Sequence, residues 1–254
     1  MKYLRPRLYY VFLVLIIISR AAALEMNDVP LIKETFILKS YEKETGKERW
    51  SSVIEGQAVN YQGKNYIYFQ EKGVSRSADK YWSSTSYSVV RDSKLIPLSV
   101  KVLISNRAGE TLESVNKYYD WDTKNIICNN NGKVTQFDFK SNMADKQNLG
   151  LILMDYPFEN KKDVTCHLLT NEPAEYEIFV KYRGKEKVMI GDEEAECYKL
   201  EMVFNLGLLN IFGVFIPKFY LWYEVKSPHN FVKYEGLESG MGTPYVVVSR
   251  INKL

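Results

Sequence analysis

Apolar and polar residues alternate along most of the chain, in short stretches separated by turn residues. In 175–182 and again in 198–204, every second residue is aromatic or aliphatic, and charged residues fill most positions between them. Side chains of a strand point alternately to opposite faces, so this pattern predicts strands with one buried and one wet face. Ten or more such stretches between Glu34 and Ile251 predict a mainly β protein, and one sheet of that size should curl or close.

The residues between these stretches favour hairpins. Asn106 to Gly109, Asn130 to Gly132 and Gln62-Gly63 each separate two strand-like stretches, and an acidic turn at Gly191 to Glu194 separates two more. Asn and Gly are the residues that tight turns between antiparallel strands prefer. The Gly-rich stretch Gly236 to Gly242 also reads as a hairpin connection.

Two segments break the alternation. In Asn148 to Phe158, apolar residues recur at helical spacing up to Pro157, which predicts a short helix packed on the sheet. Leu206 to Pro217 is nearly all apolar and contains two glycines. Three interpretations of this segment are open: ordinary core structure, an exposed binding or membrane-contact patch, and a lid over the mouth of a barrel.

The first 23 residues have the order of a secretory signal peptide. Lys2, Arg5 and Arg7 precede the apolar run Tyr9 to Ile18, and Ala21 to Ala23 supply small residues for cleavage. The run is too short to span a membrane, so we expect cleavage near Ala23 and a periplasmic, soluble product without a transmembrane anchor. Residues 24–254 are expected to form a single domain.

Charge and cysteine content narrow the classes of partner. The whole chain carries 34 Lys and Arg against 31 Asp and Glu, but four of those cations lie in the predicted signal peptide. The remaining 30 cations against 31 anions give a net charge of about −1, which does not favour nucleic acid as a partner. Three cysteines permit at most one disulfide and otherwise suit small buried side chains.

No catalytic or metal-binding motif is present. The chain has two histidines, His167 and His229, and lacks HExxH, GxSxG, GxGxxG and CxxC patterns. Cys166 and His167 are neighbours, so on a strand they would point to opposite faces. We therefore expect no catalytic residues, no metal and no cofactor; a hydrolase would need His229 close to Glu235 or Asp155 in one cleft.

The second half of the chain resembles a family of uncharacterised exported bacterial proteins. The resemblance lies in GDEEAECYKLEM (191–202), PKFYLWY (217–223), Pro228-His229 and KYEGLESGMGTP (233–244). Such proteins look like relatives of lipoprotein carriers of the LolA and LolB type. The resemblance implies a strongly curved antiparallel sheet, a half-open β-barrel, with one or two short helices covering its concave face and an apolar cavity beneath.

The expected function is therefore non-enzymatic binding of a lipid, a lipoprotein acyl chain or another apolar component of the cell envelope. The alternative is a structural or assembly factor that binds another envelope protein through its sheet, without a small ligand. For the first hypothesis, the candidate lining comes from the two exceptional segments: Leu149, Ile152, Leu153, Leu208, Leu209, Ile211, Phe212, Val214 and Phe215.

Overall fold

Fifteen strands form one sheet in the computed structural model, which describes residues 32–61, 64–76, 78–91, 94–140, 142–205, 207 and 217–251. One short helix, α1 (Leu149–Ile152), runs directly into a 3₁₀ turn (Leu153–Asp155). The strands β1 to β15 are, in order, Ile32–Glu42, Glu48–Tyr61, Lys64–Ser75, Lys80–Arg91, Lys94–Asn106, Thr111–Asp120, Asn125–Asn130, Lys133–Asp138, Met143–Asp145, Val164–Leu169, Glu175–Ile190, Glu193–Phe204, Phe219–Glu224, Phe231–Leu237 and Tyr245–Ile251.

The sheet runs from β8 at one edge, through β1 and β15 in the middle, to β9 at the other edge. The predicted hairpins are present, and Glu193 already belongs to β12, so the acidic turn is shorter than expected. The expectation of a purely antiparallel sheet is wrong, because β9 and β10 are parallel. The chain leaves β9, passes through α1 and returns along the same direction, and such a crossover makes neighbouring strands parallel.

One face of the sheet, here called the inner face, carries most of the core. The strand registers place Leu38, Ile54, Val102, Val115 and Leu200 on this face, and all five are buried. Alternate residues on the same strands are more exposed. The alternation in the sequence therefore reflects a sheet that curls around its own inner face.

The two ends of the sheet overlap. On β10, Leu168 faces the inner core, whereas Leu169 points the other way and is fully buried. Leu169 packs, together with Met143 of β9, against the cluster that includes Val100 and Ile126 on the inner face of β5 and β7. The β9–β10 end thus lies inside the β5–β7 end, and the sheet is a spiral that covers itself without closing edge to edge.

A buried ionic cluster joins the two layers of this overlap. The Lys117 ammonium on β6 lies 2.8 Å from the Asp145 carboxylate on β9, and both side chains are fully buried. Tyr119 donates a hydrogen bond to the same carboxylate oxygen, and Lys117 also donates to Asn171. Burial, and then the Asp145 charge, raises the pKa of Tyr119 well above its ordinary value. Each polar group of the cluster therefore has a partner, as buried charges require.

The segment after β9 crosses the inner face. The helix predicted over 148–158 is present only as the four residues of α1 and the 3₁₀ turn, and neither has a side-chain cap at its amino end. A helix this short is not stable in isolation, so its position depends on packing. Within the described residues, no helix is long and apolar enough to cross a membrane.

Candidate ligand-binding interior

The inner face of β10 to β13 and the segment that crosses it form a continuous apolar region, here called the apolar half. The segment contributes Leu149, Leu153, Tyr156 and Phe158, all buried. Phe158 stacks on Tyr198 with ring centroids 4.3 Å apart. The sheet side of this region consists of Cys166, Leu168, Ile178, Val180, Tyr198, Leu200, Met202, Leu221 and Tyr223.

Few hydrogen bonds hold α1 against the sheet. The buried Tyr223 hydroxyl donates to the Gly150 carbonyl oxygen at 3.1 Å, and the Asn148 amide donates to the Ser88 hydroxyl at 3.3 Å. Burial strongly raises the pKa of Tyr223, so this phenol stays neutral and acts as a donor. α1 is therefore held against the sheet mostly by apolar contact.

An aromatic row lines one rim of the apolar half. The rings of Tyr176 and Phe204 are 5.9 Å apart, and those of Phe204 and Phe219 are 5.1 Å apart. Gly236 leaves room for this row, because a Cβ there would lie 2.6 Å from Phe219 Cδ1. Tyr176 is 39% exposed, so the row reaches from the core to solvent.

The nine candidate lining residues fall into two groups. Leu149 and Leu153 are buried in the apolar half, and Ile152 packs against it while partly exposed. The other six lie outside the described residues: Leu208, Leu209, Ile211, Phe212, Val214 and Phe215. The described chain enters and leaves that segment next to Phe204 and Phe219, at the aromatic rim.

Ion pairs fix the strand ends near this rim. Arg49 makes a two-pronged contact with Glu238, with distances of 2.9 and 2.8 Å. Glu235 lies 2.8 Å from Lys43 and 2.6 Å from Lys233. Burial alone would raise the pKa of Glu235, but hydrogen bonds from the two lysines outweigh it and hold the pKa below its ordinary value.

Both histidines contact oxygen atoms through their Nδ1 atoms. The Nδ1 atom of His167 lies 2.8 Å from the Glu175 carboxylate, and Lys140 contacts the same oxygen. The Nδ1 atom of His229 lies 3.0 Å from the Glu224 carbonyl oxygen, and its ring packs at an angle against the stacked rings of Phe158 and Tyr198. His229 is close enough to Asp155 for its charge to oppose the rise in carboxyl pKa that burial causes.

The three cysteines are free and buried. Burial raises the pKa of Cys166 to about 11 and that of Cys197 to about 12. A nucleophilic cysteine needs its thiolate, which such environments suppress. In the part of the chain that the structure describes, no group of three or more His, Cys, Asp or Glu side chains is placed to hold a metal ion.

Sequence reasoning missed the polar groups of the interior. Ser84, Ser86 and Ser88 on β4 are buried on the inner face, where an apolar row would be expected. The sequence contains their alternation, but serine also fills exposed strand positions, and Ser83 on the same strand faces outward. No local sequence pattern indicates that Lys117 lies opposite Asp145.

Together these features define the class of a barrel-like, mainly β protein with an open, curved sheet. Searches with protein-family models and among curated proteins give no match. A solved structure, the β-barrel-like protein of domain of unknown function DUF1849 from Brucella abortus, is similar in fold, with a TM-score of 0.52 and 6% sequence identity. The similarity covers 89% of this chain and 100% of that chain. It therefore extends over nearly the whole spiral.

Proposed function

We propose that this protein is a non-enzymatic binding protein for a lipid, a lipoprotein acyl chain or another apolar component of the cell envelope. The observation that carries the proposal is the apolar half, covered by a crossing segment of only one helical turn and a 3₁₀ turn. The aromatic row from Tyr176 to Phe219 gives this region an edge open to solvent.

The energetics favour a hydrocarbon ligand. Each methylene that leaves water contributes about 0.8 kcal/mol, so burying eight of them contributes roughly 6 kcal/mol before the cost of ordering. Displacing α1 breaks few hydrogen bonds, because Gly150 and Asn148 make the main ones. An acyl chain inserted between α1 and the sheet would therefore be buried by both and would contact Ile152.

The resemblance to lipoprotein carriers supports the same class of ligand, since those proteins hold acyl chains on the concave face of a curved sheet. The signal-like residues 1–23 place this activity, in the proposal, in the periplasm. Export and carrier-like binding are parts of the proposal and require direct tests.

A fluorescent apolar probe tests the proposal. N-phenyl-1-naphthylamine should bind the purified protein with increased emission, and dodecanoate should displace it. Ile152→Ser should weaken probe binding by about tenfold, because Ile152 packs on the apolar half while remaining partly exposed.

Leu151→Ser is the matched control, since Leu151 is the preceding residue and lies outside the apolar cluster. It should leave probe affinity within about twofold. Equal losses in both variants, or no saturable binding by the parent protein, would contradict the proposal. Circular dichroism on each variant separates lost binding from lost folding.

The alternative, a structural factor that recruits another envelope protein through its sheet, finds less support. A partner would most readily add to the edge strand β8, where Val134 is 52% exposed. Lys133 and Asp138 at the ends of that strand are exposed charges, which edge strands use against pairing. The charges on this edge strand therefore disfavour the addition of a partner's strand.

A further inference from the structure

From β2 to β4, the inner face of the sheet carries several polar side chains. Strand pairing places Ser52 on β2, Glu71 on β3 and Ser84 on β4 on the inner face, and Ser86 and Ser88 follow along β4. All four serines are buried. The segment after β9 meets this region, because Asn148 hydrogen-bonds to Ser88 and the Lys146 charge acts on Glu71. We call this region the polar chamber.

Three buried polar atoms of the chamber have no hydrogen-bond partner among the described residues: Ser40 Oγ, Ser52 Oγ and Asn148 Oδ1. Ser40, on the inner face of β1 opposite Trp50, is fully buried with an unpaired hydroxyl. Asn148 is also fully buried; its amide nitrogen binds Ser88, but its Oδ1 accepts nothing. Buried polar atoms without a partner destabilise a protein, so these atoms favour a ligand that offers hydrogen bonds to them.

Lys146 and Glu71 bring two charged groups to the chamber. The Lys146 side chain is exposed, although surrounding protein lowers the pKa of its ammonium. Burial likewise raises the pKa of Glu71, and the Trp82 side chain and the Lys146 charge oppose this rise.

Aromatic rings border the same region. The Trp82 ring lies across Gly73, where a Cβ would sit 2.1 Å from Trp82 Cζ2. Trp50 meets Trp82 edge to face at 5.5 Å. Tryptophan faces next to hydroxyls, an amide, a carboxyl and an ammonium suit a ligand that is rich in both donors and acceptors and carries no net charge.

We propose that the polar chamber binds a polyhydroxylated head group, such as a sugar, whose hydrocarbon chain lies in the apolar half. Hydroxyls of the head donate to Asn148 Oδ1 and Glu71 and accept from Ser40 and Lys146. The ligand is thus an amphiphile with a sugar-like head. The placement of the ligand's hydrocarbon chain in the apolar half rests on the proposed function. The binding of its head group in the polar chamber does not.

Isothermal titration calorimetry with octyl β-glucoside, 1-octanol and glucose tests the inference below the micellar concentration. The glucoside should bind at least about tenfold more tightly than octanol, as one or two added hydrogen bonds provide. Glu71→Gln and Ser84→Val should each remove about tenfold of glucoside affinity and leave octanol affinity unchanged. Ser83→Val, the neighbouring outward-facing serine, is the matched control and should change neither.

The outcomes separate the two proposals. Equal affinity for glucoside and octanol, or glucoside binding that ignores both chamber variants, overturns the chamber and leaves the proposed function standing. Glucose binding as tightly as the glucoside, with the same sensitivity to Glu71→Gln, supports the chamber for a free saccharide and contradicts the apolar site. No binding of any of the three overturns both. Thermal unfolding of each variant verifies that the comparison uses folded protein.

Discussion

Glu235 shows how single charges stabilise the rim of this sheet. Its carboxylate receives hydrogen bonds from Lys43 and Lys233, and its side chain is only 13% exposed. Since these contacts outweigh burial and lower its pKa, the folded state binds the proton less readily than the unfolded chain does. Its contribution to stability is therefore present above the unfolded pKa, about 4.5, and is lost as the pH falls through the folded value.

We expect Glu235→Gln to lower the free energy of unfolding by about 1 kcal/mol at pH 7. The difference from the parent protein should shrink as the pH falls below about 4.5, because protonation removes the same charge. Urea denaturation at a series of pH values measures it.

The control for this measurement is Glu194→Gln, whose ion pair with Lys187 is mostly exposed. It should change stability by less than about 0.5 kcal/mol at any of these pH values. A Glu235→Gln effect that is constant across the acid range would contradict the assigned role of the carboxylate.

At this scale the sequence predicts apolar contacts better than polar ones. Leu149 and Leu153 were expected in the interior from their helical spacing, and both are buried there. The inward direction of Ser84 could not be predicted, because the same strand carries serine on both faces. A serine is small and neutral enough for either environment, so only the strand pairing decides.

The overlap between the ends of the sheet depends on short elements. β9 has three residues, too few for any alternation to be visible, yet it supplies Asp145 and Met143 to the interior. Lys117 and Asp145 face each other from opposite ends of the strand order. Their contact is possible only because the sheet winds over itself.

Lys117→Met tests the ionic cluster. It leaves the buried Asp145 carboxylate without its ammonium, which should cost about 3–5 kcal/mol in the free energy of unfolding. The double variant Lys117→Met, Asp145→Leu should be more stable than the single one, because no unpaired charge remains. Chemical denaturation of the three proteins measures both differences.

A Lys117→Met protein with the parent's unfolding midpoint would show that the overlap does not depend on this pair. A double variant no better than the single one would indicate that Tyr119, which also binds Asp145, dominates.

Across the whole molecule, the long strands could be predicted from the sequence, but the overlap of the two sheet ends could not. The strands β11 and β15 alternate between buried and less buried residues over part of their length, as their sequence patterns predict. β12 departs from its pattern, because Cys197 and Glu201 on its other face are buried as well. The parallel β9–β10 pair and the spiral overlap depend on contacts between residues far apart in the chain. Local sequence patterns contain no information about such contacts. The curved β-sheet could therefore be predicted from the sequence, but the overlap of its two ends could not.

The spiral gives the interior two chemical environments. The apolar half lies under α1, and the polar chamber lies against β2 to β4, with the segment from Asp145 to Asn148 between them. A ligand with a hydrocarbon chain and a polar head matches this division.

The most direct test of the account is to identify what the protein carries. The protein, purified from its native host without detergent, should show a bound mass in native mass spectrometry, and organic extraction should release a lipid or other amphiphile. The stripped protein should rebind that compound at about one molecule per chain. A protein that contains no extractable lipid and fails to bind any on exposure to the host's lipid extract would contradict the central claim.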